Sequence, residues 1–166
     1  MDAANDHAPL EPRLPDTDDL VFLCRRLNEA GAKYLVVGGF AIIQHGFARA
    51  TEDVDLLIDV SPENFERVRT AMMSLPDGAV REVNAEDFRE CLVVRVADEF
   101  VVDLMRQACG IEYAEASRDV AMMRVQEVPI PFANPRLLLR MKQTYRAKDE
   151  PDRAFLMTLL GREQTE

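Results

Sequence analysis

The sequence predicts an α/β fold in which helices alternate with short strands. Leucines recur at helical spacing near the start, at Leu20, Leu23 and Leu27, whereas Tyr34 to Val37 is a continuous apolar run typical of a buried strand. Asp53 to Asp59 alternates polar and apolar residues, as a strand with one buried face does. The chain has 166 residues, of which 48% are hydrophobic and 30% charged, so it is long enough for one domain with its own core.

The first elements follow from local signals. Residues 1–15 contain few bulky apolar side chains, which predicts a flexible tail before a single domain at 16–166. A helix begins near Asp16 and ends before Gly31, and the strand Tyr34 to Val37 follows. A second helix begins at Gly38-Gly39 and runs to about Ala48.

The next strand, Asp53 to Asp59, carries two carboxylates on one side. Side chains alternate along a strand, so Asp53 and Asp55 share one face and Val54 and Leu56 share the other. Ser61-Pro62 then predicts a capped helix start. Its buried residues are Phe65, Val68, Met72 and Leu75, and Pro76-Asp77-Gly78 ends it.

A hairpin and three further helices complete the predicted fold. Cys91 to Val96 and Phe100 to Met105 are apolar runs joined by the three-residue turn Ala97-Asp98-Glu99. We expect a short helix from about Ile111 to Arg118 and an extended segment from Val128 to Phe132. The last two helices are predicted from Asn134-Pro135 to about Ala147, and from Pro151 to Gly161.

Charge and cysteine content exclude several functions. Lys plus Arg total 20 against 30 Asp plus Glu, and a net charge of −10 disfavours general nucleic-acid binding. Three widely spaced cysteines predict neither a disulfide framework nor a zinc site, and they fit a reducing cytoplasm. The acidic first residues do not resemble a signal peptide, and no apolar run is long enough to span a membrane, so we expect no membrane partner.

Asp53-Val54-Asp55 is the first candidate for chemistry. Two carboxylates on one strand face can share hard divalent cations such as Mg²⁺, although a solvated acidic face would give the same pattern. Asp103 lies inside an apolar strand, where a charge needs a partner or a metal. If that strand pairs beside the Asp53 strand, the three carboxylates converge.

The glycine pair is the second candidate. Gly38-Gly39 closes a strand and opens a helix, where exposed N–H groups attract phosphate, but an ordinary tight turn is an equal alternative. The pair is neither a dinucleotide fingerprint nor a P-loop. Arg49 and Thr51 follow it and are candidates to reach phosphates; Arg49 is equally explained as a surface partner of Glu52.

The late helix supplies candidate cations. Lys142, Arg146 and Asp149 recur at helical spacing and are expected to share a face, which a solvated surface would also explain. In the functional interpretation Lys142 or Lys148 binds phosphate. Asp149 and Asp152 then orient these cations. His45, followed by Gly46, is interpreted as a structural or pocket-lining residue.

Taken together, the motifs resemble the nucleotidyltransferase superfamily related to DNA polymerase beta. Its pattern is a glycine pair, about a dozen residues, a DxD, and a third acidic residue on a later strand. The closer resemblance is to small prokaryotic nucleotidyltransferases, including those of toxin-antitoxin and abortive-infection systems. The corresponding residues are Gly38-Gly39-Phe40-Ala41, His45-Gly46, Arg49 to Asp55, Asp103, and Arg146 to Asp152.

The resemblance implies a small mixed β-sheet with helices packed on it. It also implies transfer of a nucleoside monophosphate from a nucleoside triphosphate, with ATP as the expected donor, to a hydroxyl acceptor on a protein, an RNA or a small molecule. Two Mg²⁺ ions would bind Asp53, Asp55 and Asp103, and the glycine pair would hold the triphosphate. The alternative is an inactive binding module that acts through a small protein partner.

Overall fold

The computed structural model describes residues 11–165. Seven α-helices and eight strands are formed in this part of the chain, with 3-10 turns at Ala79–Glu82 and Ala147–Asp149. The helices are α1 (Thr17–Glu29), α2 (Gly38–Gln44), α3 (Pro62–Met72), α4 (Asp87–Glu90), α5 (Tyr113–Ala116), α6 (Pro135–Met141) and α7 (Glu150–Glu163). The strands are β1 (Tyr34–Val37), β2 (Asp53–Ile58), β3 (Val93–Ala97), β4 (Val101–Met105), β5 (Gln107–Ala108), β6 (Ile111–Glu112), β7 (Val120–Val125) and β8 (Val128–Ala133).

Six strands form one mixed sheet in the order β3-β4-β2-β1-β8-β7. The pairs β2–β4 and β1–β8 are parallel, and the other three pairs are antiparallel. Helix α1 packs against α3 and β8, whereas α6 packs against α7 and α2. This confirms the predicted α/β fold with helices packed on a small mixed sheet.

The first helix shows how local chemistry sets the boundaries. The Asp16 carboxylate accepts a hydrogen bond from the Asp19 amide, and the Asp19 carboxylate accepts one from the Asp16 amide, so the start of α1 has a reciprocal cap. Leu20, Leu23 and Leu27 are buried as predicted. Similarly, the Ser61 hydroxyl caps α3 by accepting from the Asn64 amide.

Several helix ends differ from the prediction. Helix α2 stops at Gln44, four residues early, because Gly46 takes a left-handed conformation that breaks the helix. Helix α6 stops at Met141 rather than about Ala147. Helix α7 continues past Gly161 to Glu163, because a single glycine in the last turn costs only about 1 kcal/mol.

Residues 106–125 differ most from the prediction. The predicted helix from Ile111 to Arg118 is a single turn at α5, since Ile111 pairs in the small β5–β6 hairpin. The edge strand β7 was missed because the sequence of Val120–Val125 is apolar except for Arg124, so its half-buried and exposed faces cannot be told apart from residue type. Its partner β8 confirms the extended segment predicted at Val128 to Phe132.

The predicted tail, residues 1–15, lies mostly outside the described residues, and the division into tail and single domain stays a prediction. Residues 11–15 have no regular secondary structure, although Arg13 pairs with Asp19 and Glu99. Within residues 11–165 no helix is both long and apolar enough to cross a membrane. Cys24 is buried, whereas Cys91 and Cys109 are exposed, and all three thiols are free.

Candidate functional site

A single row of residues crosses four strands of the sheet. Val37 on β1 pairs with Asp55 on β2, Asp55 with Asp103 on β4, and Asp103 with Arg95 on β3. Neighbouring strands lie roughly 4.8 Å apart, so these residues are brought close together by backbone pairing alone. The row begins beside the glycine pair and ends at the edge strand.

The three predicted carboxylates converge. Asp53, Asp55 and Asp103 each offer an oxygen, and these three oxygens lie within 4.8 Å of one another. The convergence follows from the parallel pairing of β2 with β4, which places Asp55 directly opposite Asp103. The sequence prediction of this cluster is confirmed.

Burial and mutual repulsion disfavour the ionised form of the carboxylates in the acidic cluster. Burial, and then repulsion by Asp53 and Asp103, raises the pKa of Asp55 to about 7. The pKa of Asp53 is raised for the same reasons, against the attraction of Arg95 and Lys148. Hard oxygen donors that repel one another in this way fit Mg²⁺, which prefers carboxylate and water ligands.

The glycine pair is required by its close neighbours. Gly38 has a φ of +66°, and a Cβ there would overlap the Asp55 carboxylate and lie 2.9 Å from the Asp55 Cβ. A Cβ on Gly39 would overlap the Thr51 hydroxyl and lie 2.7 Å from the Thr51 Cβ. Only glycine allows the start of α2 to lie against the acidic cluster and Thr51.

Two buried aspartates gather the nearby cations. Two nitrogens of Arg49 lie 2.9 Å from the two carboxylate oxygens of Asp152, and Lys142 Nζ lies 3.2 Å from Asp152 Oδ2. Asp149 binds Lys142 Nζ at 3.1 Å and Arg146 Nε at 2.9 Å, and it accepts a hydrogen bond from Thr144. We call Asp149, Asp152, Arg49, Lys142 and Arg146 the ionic clasp.

The ionic clasp confirms one prediction and corrects another. Asp149 and Asp152 hold Lys142 as expected, whereas neither carboxylate lies within 4.0 Å of Lys148. However, Lys142, Arg146 and Asp149 do not share a helix face, because α6 has ended and Asp149 lies in a 3-10 turn. In this turn the carboxylate of Asp149 contacts both Lys142 and Arg146. Burial alone would raise the pKa of Asp149, but the hydrogen bonds from Thr144 and Lys142 lower it to about 2.

The two candidate lysines have different environments. Lys142 is held between two carboxylates with only 12% of its side chain exposed. Lys148 is exposed, and within residues 11–165 no carboxylate lies within 4.0 Å of it. Its charge nevertheless acts on Asp53 and offsets part of the rise in the pKa of that carboxyl. Lys148 is therefore the lysine that is free to bind an incoming anion.

Thr51 and His45 also make hydrogen bonds near the glycine pair, and the predicted contact of Thr51 with phosphate stays a prediction. Thr51 Oγ1 donates to the Asp53 carbonyl at 3.2 Å and so fixes the start of β2. His45 Nε2 donates to the Ala133 carbonyl at 2.9 Å and ties the end of α2 to β8. The structural interpretation of His45 fits this contact.

Arg95 was missed by the sequence analysis. Its Nε and Nη2 lie 3.0 and 3.1 Å from the two Asp103 oxygens, and Nη2 lies 3.3 Å from Asp53 Oδ2. The predicted turn, Ala97 to Glu99, would have placed Val93 opposite Asp103. The turn is one residue further on because the buried Asp98 carboxylate accepts from the amides of Asp77, Ala79 and Glu99, so Arg95 faces Asp103.

The glycine pair, the three carboxylates, Arg95, Lys148 and the ionic clasp line one cavity of about 470 Å³. The strand order β3-β4-β2-β1 places the glycine pair, which follows β1, and the β3 residues Val93 and Arg95 on opposite sides of the carboxylates. Arg49 of the ionic clasp lies beside Gly39. The site residues predicted from the sequence that line this cavity are Gly38, Gly39, Arg49, Thr51, Asp53, Asp55, Asp103, Lys142 and Lys148. The apolar part of the lining includes Val93, Met105 and Ala108. A polyanion held by metal ions fits such a cavity.

The fold resembles a solved structure at low sequence identity. The crystal structure of an antigenic nucleotidyltransferase-like protein from Paracoccidioides brasiliensis superposes with a TM-score of 0.55 and 18% identity. The match covers 87% of this chain and 78% of the other. No protein-family model and no curated protein sequence matches the chain. The similarity establishes a nucleotidyltransferase-like fold.

Proposed function

We propose that the protein is a magnesium-dependent nucleotidyltransferase that moves a nucleoside monophosphate from a nucleoside triphosphate, with ATP as donor, to a hydroxyl acceptor. The observation that supports this most strongly is the convergence of Asp53, Asp55 and Asp103 in a cavity that also contains a glycine pair and an available lysine. The nucleotidyltransferase-like fold supports the same reaction class.

The carboxylates hold the metal in this proposal. Asp53, Asp55 and Asp103 bind Mg²⁺, which supplies charge neutralisation of the phosphates and lowers the pKa of the acceptor hydroxyl. Asp103 takes the proton from that hydroxyl, whose oxygen bonds to the α-phosphorus. The bond from the α-phosphorus to the bridging oxygen breaks, and pyrophosphate leaves with the electron pair.

The glycine end of the cavity binds the triphosphate. Gly38 and Gly39 let the backbone at the start of α2 lie against Asp55 and Thr51, so its N–H groups are available to phosphates held beside the acidic cluster. Lys148 binds the phosphates directly, because of the two lysines that line the cavity it is the one with no carboxylate within 4.0 Å in residues 11–165. Arg49 and Lys142 keep the cavity wall in place through the ionic clasp.

The acceptor approaches from the β3 side. In-line displacement requires the incoming oxygen and the departing pyrophosphate to lie on opposite sides of the phosphorus. With pyrophosphate at the glycine end, the acceptor lies near Val93, Met105 and Ala108. The net charge of −10 favours a protein or a small molecule over RNA as the acceptor.

Labelled nucleotide tests the reaction class. The purified protein is incubated with Mg²⁺ and ATP labelled at either the α- or the γ-phosphate, together with a cell extract that provides acceptors. Nucleotidyl transfer incorporates the α-label only and releases pyrophosphate, and the double variant Asp53→Ala/Asp55→Ala loses both signals. Incorporation of the γ-label would indicate a kinase instead, and tight nucleotide binding without pyrophosphate release would favour the binding-module alternative.

A further inference from the structure

The guanidinium of Arg95 bridges two of the three carboxylates. It donates to both oxygens of Asp103 and, through Nη2, to Asp53 Oδ2 at 3.3 Å. These two aspartates come from different strands, β4 and β2, so Arg95 lies across the space between them. A cation bound jointly by Asp53 and Asp103 needs the same oxygens.

Nothing else described in the structure fixes the Arg95 side chain. It lies on the edge strand β3 with 63% of its side chain exposed, and its three hydrogen bonds all go to Asp103 and Asp53. By contrast, the side chains of Arg49 and Lys142 are mostly buried in the ionic clasp. Arg95 can therefore turn into solvent without breaking another contact.

We infer that Arg95 is an internal counter-ion that occupies the metal position in the metal-free protein and leaves when a divalent cation binds. The inference rests on the proposed function in one respect, namely that the acidic cluster is a metal site. Arg95 neutralises part of the repulsion among the three carboxylates. It also competes for them, so it sets the cation concentration at which the site fills.

Electrostatic repulsion by Arg95 lowers the affinity of the acidic cluster for a divalent cation. A guanidinium within a few ångströms of a divalent cation repels it, and two bonds to Asp103 must break before that carboxylate turns to the metal. An exposed arginine regains most of this energy by hydration, so the competition weakens cation binding without abolishing it. The opposite role, in which Arg95 holds Asp103 in place for the metal, predicts the opposite change.

Titration with Mn²⁺ alone, without nucleotide, tests the inference by calorimetry, with Mg²⁺ as a competitor. The variants are Arg95→Ala and Arg95→Gln, the second keeping hydrogen-bond donors but no charge. Arg124→Ala is the matched control. Arg124 lies on β7, outside the cavity, and forms an exposed ion pair with Glu127, so this variant removes the same charge away from the acidic cluster. Asp53→Ala/Asp55→Ala shows which binding belongs to the acidic cluster.

We expect both Arg95 variants to bind Mn²⁺ about tenfold more tightly than the wild type, and Arg124→Ala to bind like the wild type. The rise in melting temperature on adding Mn²⁺ is also expected to be larger in the Arg95 variants. Unchanged or weaker binding in both Arg95 variants, with wild-type binding that depends on Asp53 and Asp55, would overturn the inference alone. Absence of Mn²⁺ binding in every variant would instead overturn the proposed metal site.

Discussion

In the metal-free protein the ionised form of Asp55 is strongly disfavoured. Its folded-state pKa is about 7, against an ordinary value of 3.8. Between these values the folded protein holds a proton that the unfolded chain has lost. The free energy of unfolding therefore falls as pH rises from about 4 to about 7, and the loss is complete above pH 7.

Asp55→Asn removes this pH dependence. The amide cannot ionise, so above pH 7 in a chelator the variant is expected to be more stable than the wild type by roughly 1 kcal/mol or more, because each pKa unit is worth about 1.4 kcal/mol. Urea unfolding at several pH values measures the difference. Parallel pH profiles for the two proteins would show that Asp55 titrates normally.

Gly38 is predicted to tolerate no side chain. Gly38→Ala adds a Cβ both to a left-handed backbone and against Asp55, whereas Gly31→Ala meets the same backbone strain at φ +68° with no atom within 4 Å. We expect about 1 kcal/mol of destabilisation for Gly31→Ala and about 2 kcal/mol more for Gly38→Ala. Denaturant unfolding of both variants isolates the cost of the overlap, and equal losses would contradict it.

At the scale of elements, the ionic clasp joins the end of α6 to the start of α7 and to the loop before β2. Asp152 is buried and pairs with both Arg49 and Lys142. Asp152→Asn leaves two cations in this wall without that charge, which is expected to cost roughly 3 kcal/mol of stability. The exposed pair of Arg26 with Glu29 provides the control, since Glu29→Gln should change stability by less than about 1 kcal/mol.

Substitution of Lys142 and of Lys148 is expected to have different effects, one on the free energy of unfolding and the other on Mg²⁺-ATP binding. Lys148→Ala should leave the unfolding free energy unchanged and weaken Mg²⁺-ATP binding about tenfold, because one charge-assisted contact to phosphate is lost. Lys142→Ala should lower stability, because Asp149 and Asp152 lose a shared partner. Calorimetric titration and urea unfolding of both variants check this, and the reverse pattern would assign the phosphate contact to Lys142.

Sequence patterns predicted the elements whose signals are local. Capping residues and leucine spacing located α1 and α3, and alternation located β2 with its two aspartates on one face. Register was harder, since the Asp98 hydrogen bonds that shift the β3–β4 turn by one residue join segments about twenty residues apart. That shift is why Arg95 was missed. The α6 end was also misplaced, because the helical spacing of Lys142, Arg146 and Asp149 is equally compatible with the turn in which Asp149 binds the other two.

For the whole molecule, the order and pairing of the strands bring the site residues together. The order β3-β4-β2-β1 places Arg95, Asp103, Asp55 and Val37 in one row, although they come from four separate segments. The sequence predicted this convergence only conditionally, because strand order is not a local property. The assignment to small prokaryotic nucleotidyltransferases, and to toxin-antitoxin systems in particular, stays a prediction.

The measurement that tests the central claim most directly is thermal unfolding of the protein with each of four nucleoside triphosphates, with and without Mg²⁺. A ligand at 100 times its dissociation constant stabilises the folded state by about 2.7 kcal/mol, which gives a clear rise in melting temperature. We predict a rise that requires both Mg²⁺ and a triphosphate, is largest for ATP, and is absent in Asp53→Ala/Asp55→Ala. An unchanged melting temperature with every triphosphate, or an equal rise in the double variant, would contradict the account.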